Sequence, residues 1–303
     1  MAAPVTARAI DSAALQRAVR RMAGAREAPW LHAEVARRMA ERLPLVRLQP
    51  QRIVDWWSHA GGGAALLGAA YPRAGRVAVE PAPALTAQRA SHGAAVWWQR
   101  LRQRHSEPAV DSAAVAPAAA QLVWANMMLH LVADPGATMR AWRAALATDG
   151  FVMLSTLGPD TLKTLRELYR AAGWGSPHAP FTDMHDIGDM LVDAGFADPV
   201  MDQEVLRLTW ASPQAALTEL RGLGGNADLA RHAGLRTPRW RARLQAMLAE
   251  RAGPGGRIAL EFEVVYGHAF APPPRVAVAA ETRVDAEALR RMARAGRRDG
   301  SLG

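Results

Sequence analysis

The sequence predicts an α/β fold: a doubly wound, mostly parallel sheet with helices at the N-terminus and a helical cap inserted late in the chain. Three observations lead there. Short apolar runs (Ile53-Val54, Leu122 to Ala125, Phe151 to Ser155) alternate with segments of helical spacing, as strands buried on both faces do. The first run opens a strand–turn–helix–strand unit from Asp55 through Gly61-Gly62-Gly63 to Glu80. Two late β-prone runs, Val200 to Trp210 and Ile258 to Phe270, are separated by helical segments, so a helical excursion precedes the last strand.

In chain order, residues 1–45 read as N-terminal helices, with alanine-rich spacing over Ala13 to Met22 and again over Leu31 to Leu43. Pro44 and Pro50 bracket the entry to the first strand. Residues 46–270 form the main domain. After Asp55, the segment Ala64 to Tyr71 is helical and Arg76 to Glu80 is a strand closed by Pro81. A helix is expected from Pro83 to Ala90, while Val96-Trp97-Trp98 suits a short strand or a helix face equally. Asp134-Pro135 starts a helix expected to end near Asp149-Gly150. Asp160 to Ala172 and Asp183 to Ala194 are amphipathic helices stopped by Gly173 and Gly195. Ser212-Pro213 supplies a cap and a first-turn proline for a helix reaching Gly224-Gly225, and Pro238 to Arg251 is a further helix. The cap thus spans about residues 211–255, and residues 271–303, with no core-forming pattern, are expected to be a disordered tail.

Composition narrows the chemistry. The chain of 303 residues has no cysteine, which excludes disulfides, thiolate metal sites and a cysteine nucleophile. No apolar run is long enough to span a membrane and Met1 to Ile10 lacks a signal-peptide core, so a cytoplasmic protein is expected. The net charge of +9 comes from dispersed arginines and one lysine, Lys163, a pattern that disfavours nucleic acid and suits an acidic protein partner. His178, Asp183, His185 and Asp186 could imitate a metal cluster, but capping and surface roles account for them without one, and no metal is expected.

The Asp55–Glu80 unit points to a ligand. A turn and a helix start lie beside the C-terminal ends of two parallel strands, where open α/β sheets bind ligands, and Glu80 is placed to accept both hydroxyls of a ribose. A nucleoside-containing cofactor is the expectation. Gly61 to Gly63 also suit a plain turn, and Asp55 suits shaping the loop through backbone hydrogen bonds.

Longer blocks carry a resemblance. Trp124-Ala125-Asn126-Met127-Met128-Leu129-His130, Leu157-Gly158-Pro159-Asp160-Thr161-Leu162, Met184-His185-Asp186-Ile187-Gly188 with Ala194-Gly195-Phe196, and Phe262 to Ala269 resemble the class I methyltransferases that use S-adenosylmethionine. More narrowly they resemble the malonyl-acyl carrier protein O-methyltransferases of biotin synthesis. A related mitochondrial assembly factor of respiratory complex I has this layout and is an arginine hydroxylase, so a protein-modifying methyltransferase or hydroxylase, or a non-catalytic binding or assembly module, stands beside the first reading.

The resemblance implies a Rossmann-like methyltransferase sheet, S-adenosylmethionine as cofactor and malonyl-loaded acyl carrier protein, itself acidic, as partner. It places Asp55, Gly61, Gly62, Glu80, Asp111 and Asn126 at the cofactor, and His130 and Asp160 at the acceptor pocket. It identifies no catalytic acid or base. The family's first loop reads Asp-x-Gly-x-Gly-x-Gly; here Asp55 and Gly61 match, while Trp57 and His59 take the first two glycine positions. A non-glycine residue held at positive φ costs about 1–2 kcal/mol, and an indole adds bulk where ligand would lie. Either the loop has rearranged, using Gly62 and Gly63, or cofactor binding is weakened or lost.

Overall fold

Alternation along the strands sends side chains to two apolar layers, one on each face of a six-stranded sheet. The computed structural model describes residues 9–81, 110–273 and 287. Strand β1 (Arg52–Trp56) lies between β2 (Gly75–Val79) and β3 (Ala120–Ala125), with β4 (Leu146–Leu157) next, all parallel. Strands β5 (Ala197–Trp210) and β6 (Ile258–Phe270) complete the order β2-β1-β3-β4-β6-β5, with β6 antiparallel to both neighbours. Beyond β2, Val110 makes one parallel bridge to Val79.

Ile53, Leu122, Trp124, Phe151, Met153 and Phe262 face one layer, covered by helices α2 (Trp30–Ala40), α4 (Ala64–Ala70), α6 (Lys163–Ala171), α8 (Pro213–Gly222) and α9 (Pro238–Glu250). Val54, Trp56, Val123, Val152 and Val265 face the other, covered by α1 (Ser12–Ala23), α5 (Pro135–Ala145) and α7 (Met184–Asp193). Short α3 (Ser58–Gly61) follows β1 directly. The described residues up to Pro272 form one unit, so α1 and α2 cover the same sheet as the later helices. Side-chain caps start most of these helices: Asp11, Asp134, Asp183, Ser212 and Thr237 each accept a backbone N–H from the first turn.

Two boundaries differ from expectation. Helix α5 stops at Ala145, because Leu146 already pairs with Ala120; Asp149, at φ 63°, lies within β4 in the irregular stretch where its register with β3 shifts, its N–H bound to the Ala271 carbonyl. Helix α6 starts at Lys163, not Asp160, because the preceding residues are bonded to β6 instead: Gly158 N–H donates to Glu263 O, Asp160 N–H to Glu263 Oε2 and Leu162 N–H to Glu261 O. Leu162, at φ 56°, makes the turn into the helix, so neither Asp160 nor Thr161 caps it. The expected helix at Pro83 to Ala90, the Val96-Trp97-Trp98 segment and, apart from Glu287, the tail beyond Pro273 lie outside the described residues.

Candidate active site

The loop after β1 follows a glycine-type path without the glycines. Trp57 adopts φ 56° and ψ 47°, the left-handed conformation, and Gly62 adopts φ 67°. The strain expected of a non-glycine first position is therefore present, offset by burial: the Trp57 indole is 8% exposed and belongs to the apolar layer that holds Val54, Val79 and Met128. His59 sits within helical α3, and its Nε2–H donates to the Ala25 carbonyl at 2.9 Å. Gly63 lies close against the sheet: a Cβ there would lie 2.4 Å from Trp124 Nε1, so a side chain would force that indole to shift.

Two acids stand at the ends of β1 and β2. Asp55 is fully buried; its Oδ2 accepts from Ser58 Oγ at 2.6 Å and from Arg76 Nη1 at 2.9 Å. Burial raises the Asp55 carboxyl above its usual range, opposed by the adjacent guanidinium. Glu80 is buried at the β2 end, where its Oε1 accepts the His59 N–H at 3.2 Å and its own N–H donates to Val110 O. Asp111, next to Val110, spends Oδ1 on the N–H groups of Ala113 and Ala114, capping a short 3₁₀ turn.

Asn126, at the β3 end, ties three elements together. Its amide donates to the carbonyls of Gly61 at 2.6 Å and His32 at 2.8 Å, and its Oδ1 accepts from Ser155 Oγ at 2.6 Å. Both amide hydrogens are thereby used within the fold. His32, on α2, donates from Nδ1 to the Ala60 carbonyl at 2.8 Å. Complete burial holds its pKa down at about 4, so the ring is neutral.

A row of rings leads away from this loop. His32 meets His130 edge-on with centroids 6.4 Å apart, His130 meets Phe181 at 5.8 Å, and Phe181 stacks on His178 at 4.5 Å. The last three line a cavity of about 240 Å³ beneath α8 and α9, walled also by Leu165, Tyr169, Leu244 and Phe262. Arg21, Arg221 and Arg241 line it too, and all three are exposed to solvent. Arg21 Nη1 donates to Gly224 O at 2.8 Å, which ties α1 to the cap.

The structure brings Asp55, Gly61, Glu80 and Asn126 together around the loop after β1, with Gly62 in the adjoining turn and Asp111 beside Val110; His130 lines the cavity. Asp160 does not belong to the cavity wall: its side chain is 65% exposed, 3.7 Å from Arg166. Its backbone N–H donates to Glu263 Oε2 at 2.6 Å. His185 pairs with Asp183, the α7 cap, and among the described residues no three histidine, aspartate or glutamate side chains form a metal-binding group. His32, Arg76, Phe181 and Glu263 escape sequence reasoning. Glu263 lies inside one of the resembling blocks, but nothing local marks the other three.

Residues 30–198 match the family model described as a methyltransferase domain, which defines the class. Malonyl-[acyl-carrier protein] O-methyltransferase of Gallionella capsiferriformans (strain ES-2) is 38% identical over 273 residues, 88% of this chain and 93% of the relative. The protein of the same name from Laribacter hongkongensis (strain HLHK9) is 38% identical over 81% of this chain and 84% of its own. Among solved structures, the YcgJ protein from Bacillus subtilis shares the fold, with TM-score 0.52 at 10% identity over 80% of this chain and 99% of that one. The chain belongs to the malonyl-[acyl-carrier protein] O-methyltransferase family.

Proposed function

We propose that this chain methylates the free carboxylate of a malonyl thioester carried on acyl carrier protein, with S-adenosylmethionine as donor, in biotin synthesis. The observation that carries the reading is the match over most of both chains to relatives of that name. The residues present fit the cofactor: Asp55 Oδ1 is a buried acceptor with no hydrogen-bond partner among the described residues, Glu80 stands at the neighbouring strand end, and Trp57 keeps the left-handed turn. Glu80 would hold the ribose and Asp55 the amino-acid end, with Gly61 and Gly62 letting the backbone come close. Asn126 would act by fixing Gly61.

Bound S-adenosylmethionine supplies an electrophilic methyl group on a sulfonium. The protein's share is placement. An acceptor carboxylate titrates near 4 and is ionised at neutral pH, so no general base is required. The apolar cavity holds the acyl portion and excludes water, and an arginine at its wall, Arg21, Arg221 or Arg241, fixes the carboxylate as a charge-assisted partner. His130 stands where the two ligands meet and, bonded from Nδ1 to Thr156 Oγ1 at 3.3 Å, shapes that junction.

Calorimetric titration with S-adenosylmethionine tests the first half: saturable binding is expected, and none at millimolar ligand would sink it in favour of a non-catalytic module. Rescue of a biotin auxotroph lacking its own methyltransferase tests the second. Failure of a soluble, cofactor-binding protein to rescue growth would point to a different acceptor.

A further inference from the structure

Helix α6 has two faces of opposite character. Leu165 and Tyr169 line the cap cavity, whereas Lys163, Arg166 and Arg170 line a groove on the outer side with Glu167, Gly175, Ser176 and Pro177. Spacings of three and four residues put the three cations on one helical stripe, where like charges repel and contribute nothing to the helix itself. Lys163 and Arg170 are exposed. The nearby acids are engaged: Asp160 lies 3.7 Å from Arg166, and Glu167 lies 3.8 Å from Arg251. Pro177 lines both groove and cavity, so the basic stripe borders the cavity.

We infer that the Lys163–Arg166–Arg170 stripe is the docking surface for the acidic carrier protein, seating it so that its thioester arm crosses Pro177 into the cap cavity. This rests on the proposed acceptor. Charge complementarity favours the occupant: a small acidic protein complements the two exposed cations Lys163 and Arg170 and adds to the long 3.7 Å pairing of Arg166 with Asp160, and the adjoining apolar cavity takes only its arm. Such a contact speeds encounter and weakens as salt rises.

The test is binding of fluorescently labelled malonyl-carrier protein to the full chain, read by anisotropy at low salt. The variant Lys163→Glu/Arg166→Glu/Arg170→Glu should lose roughly tenfold or more in affinity. A control with the same charge change at exposed sites on other elements, Arg20→Glu/Arg140→Glu/Arg207→Glu, should stay within about twofold. Should the stripe variant fold poorly, Lys163→Gln/Arg170→Gln should show a smaller loss in the same direction. Equal weakening by stripe and control variants, or unchanged binding by a folded stripe variant, overturns the assignment. Methyl transfer to malonyl-coenzyme A separates the two ideas: carrier binding that depends on the stripe without any transfer overturns the enzyme reading alone, whereas transfer with carrier affinity indifferent to the stripe overturns the docking surface alone.

Discussion

Asn126 Nδ2 donates to the Gly61 carbonyl at 2.6 Å, joining the end of β3 to the loop after β1. The same amide holds the His32 carbonyl, so the N-terminal helix α2, the loop and the sheet share one buried side chain. Replacing Asn126 with alanine removes the side-chain donor of the buried Gly61 and His32 carbonyls and the acceptor of the Ser155 hydroxyl. A loss of about 3 kcal/mol is expected, read as a lower urea midpoint, with weaker S-adenosylmethionine binding because Gly61 is released.

His32 gives the fold a pH dependence of known sign. Its folded pKa of about 4 lies below the ordinary 6.5, so the unfolded chain takes up a proton first. The stability held above pH 6.5 is lost as pH falls through 6.5 to about 4, where the loss levels off. The shift corresponds to about 3 kcal/mol. His32→Asn keeps a donor for the Ala60 carbonyl, and its urea midpoint should vary less than the wild type's over that window. Parallel pH profiles for the two proteins would refute the assignment.

Much of this fold was legible in the sequence, because its signals are local. The last strand occupies Ile258–Phe270 as its β-branched and aromatic run implies, and Ser212-Pro213 caps its helix through the side chain. The strand ends that carry Asp55, Glu80 and Asn126 followed from periodicity alone. What could not be read is long-range. The start of α6 is set by Glu263, about a hundred residues away, whose bonds to Gly158 and Asp160 override the helix start expected at Asp160. Trp57 looked like an obstruction because its backbone angle and its burial in the second layer depend on neighbours from several elements. The identity of the cavity arginines likewise depends on how the cap closes.

Glu80 is the acid expected to hold the ribose. Its carboxylate is buried at the strand end, beside the first turn of α3. Charge-assisted hydrogen bonds contribute about 1.5–3 kcal/mol, so Glu80→Ala should weaken S-adenosylmethionine roughly 10- to 150-fold by calorimetry. Glu80→Gln, which keeps the size and one acceptor, should fall between. An alanine variant that binds as wild type would remove Glu80 from the site.

Gly63 tests how closely the loop lies on the sheet. Its φ of −85° suits any residue, so backbone strain is not at issue. The difficulty is steric: an added Cβ would lie 2.4 Å from Nε1 of the fully buried Trp124. Gly63→Ala should cost about 1–3 kcal/mol by overpacking, seen as a lower Tm. Gly68→Ala, at a helical position with nothing within 4 Å of the new Cβ, should be neutral or stabilising.

Arg76 faces a carboxylate that burial makes expensive to ionise. The fully buried Asp55 has a folded pKa above the ordinary 3.8, even with the guanidinium 2.9 Å away. For an acid raised in this way, stability is fullest below 3.8 and is lost as pH rises through the folded value. Arg76→Met removes the main compensating charge and pushes the folded pKa higher still. The variant should be about 3 kcal/mol less stable near neutral pH, since one partner of a buried pair is left alone. Its deficit should shrink as pH falls toward 4 and Asp55 takes up its proton. Adding Asp55→Asn to Arg76→Met should restore most of the lost stability at neutral pH, because the uncompensated charge is gone. Urea denaturation of the single and double variants across pH measures all of this. A deficit in Arg76→Met that neither acid nor the second substitution relieves would show that Arg76 acts through packing, not through Asp55.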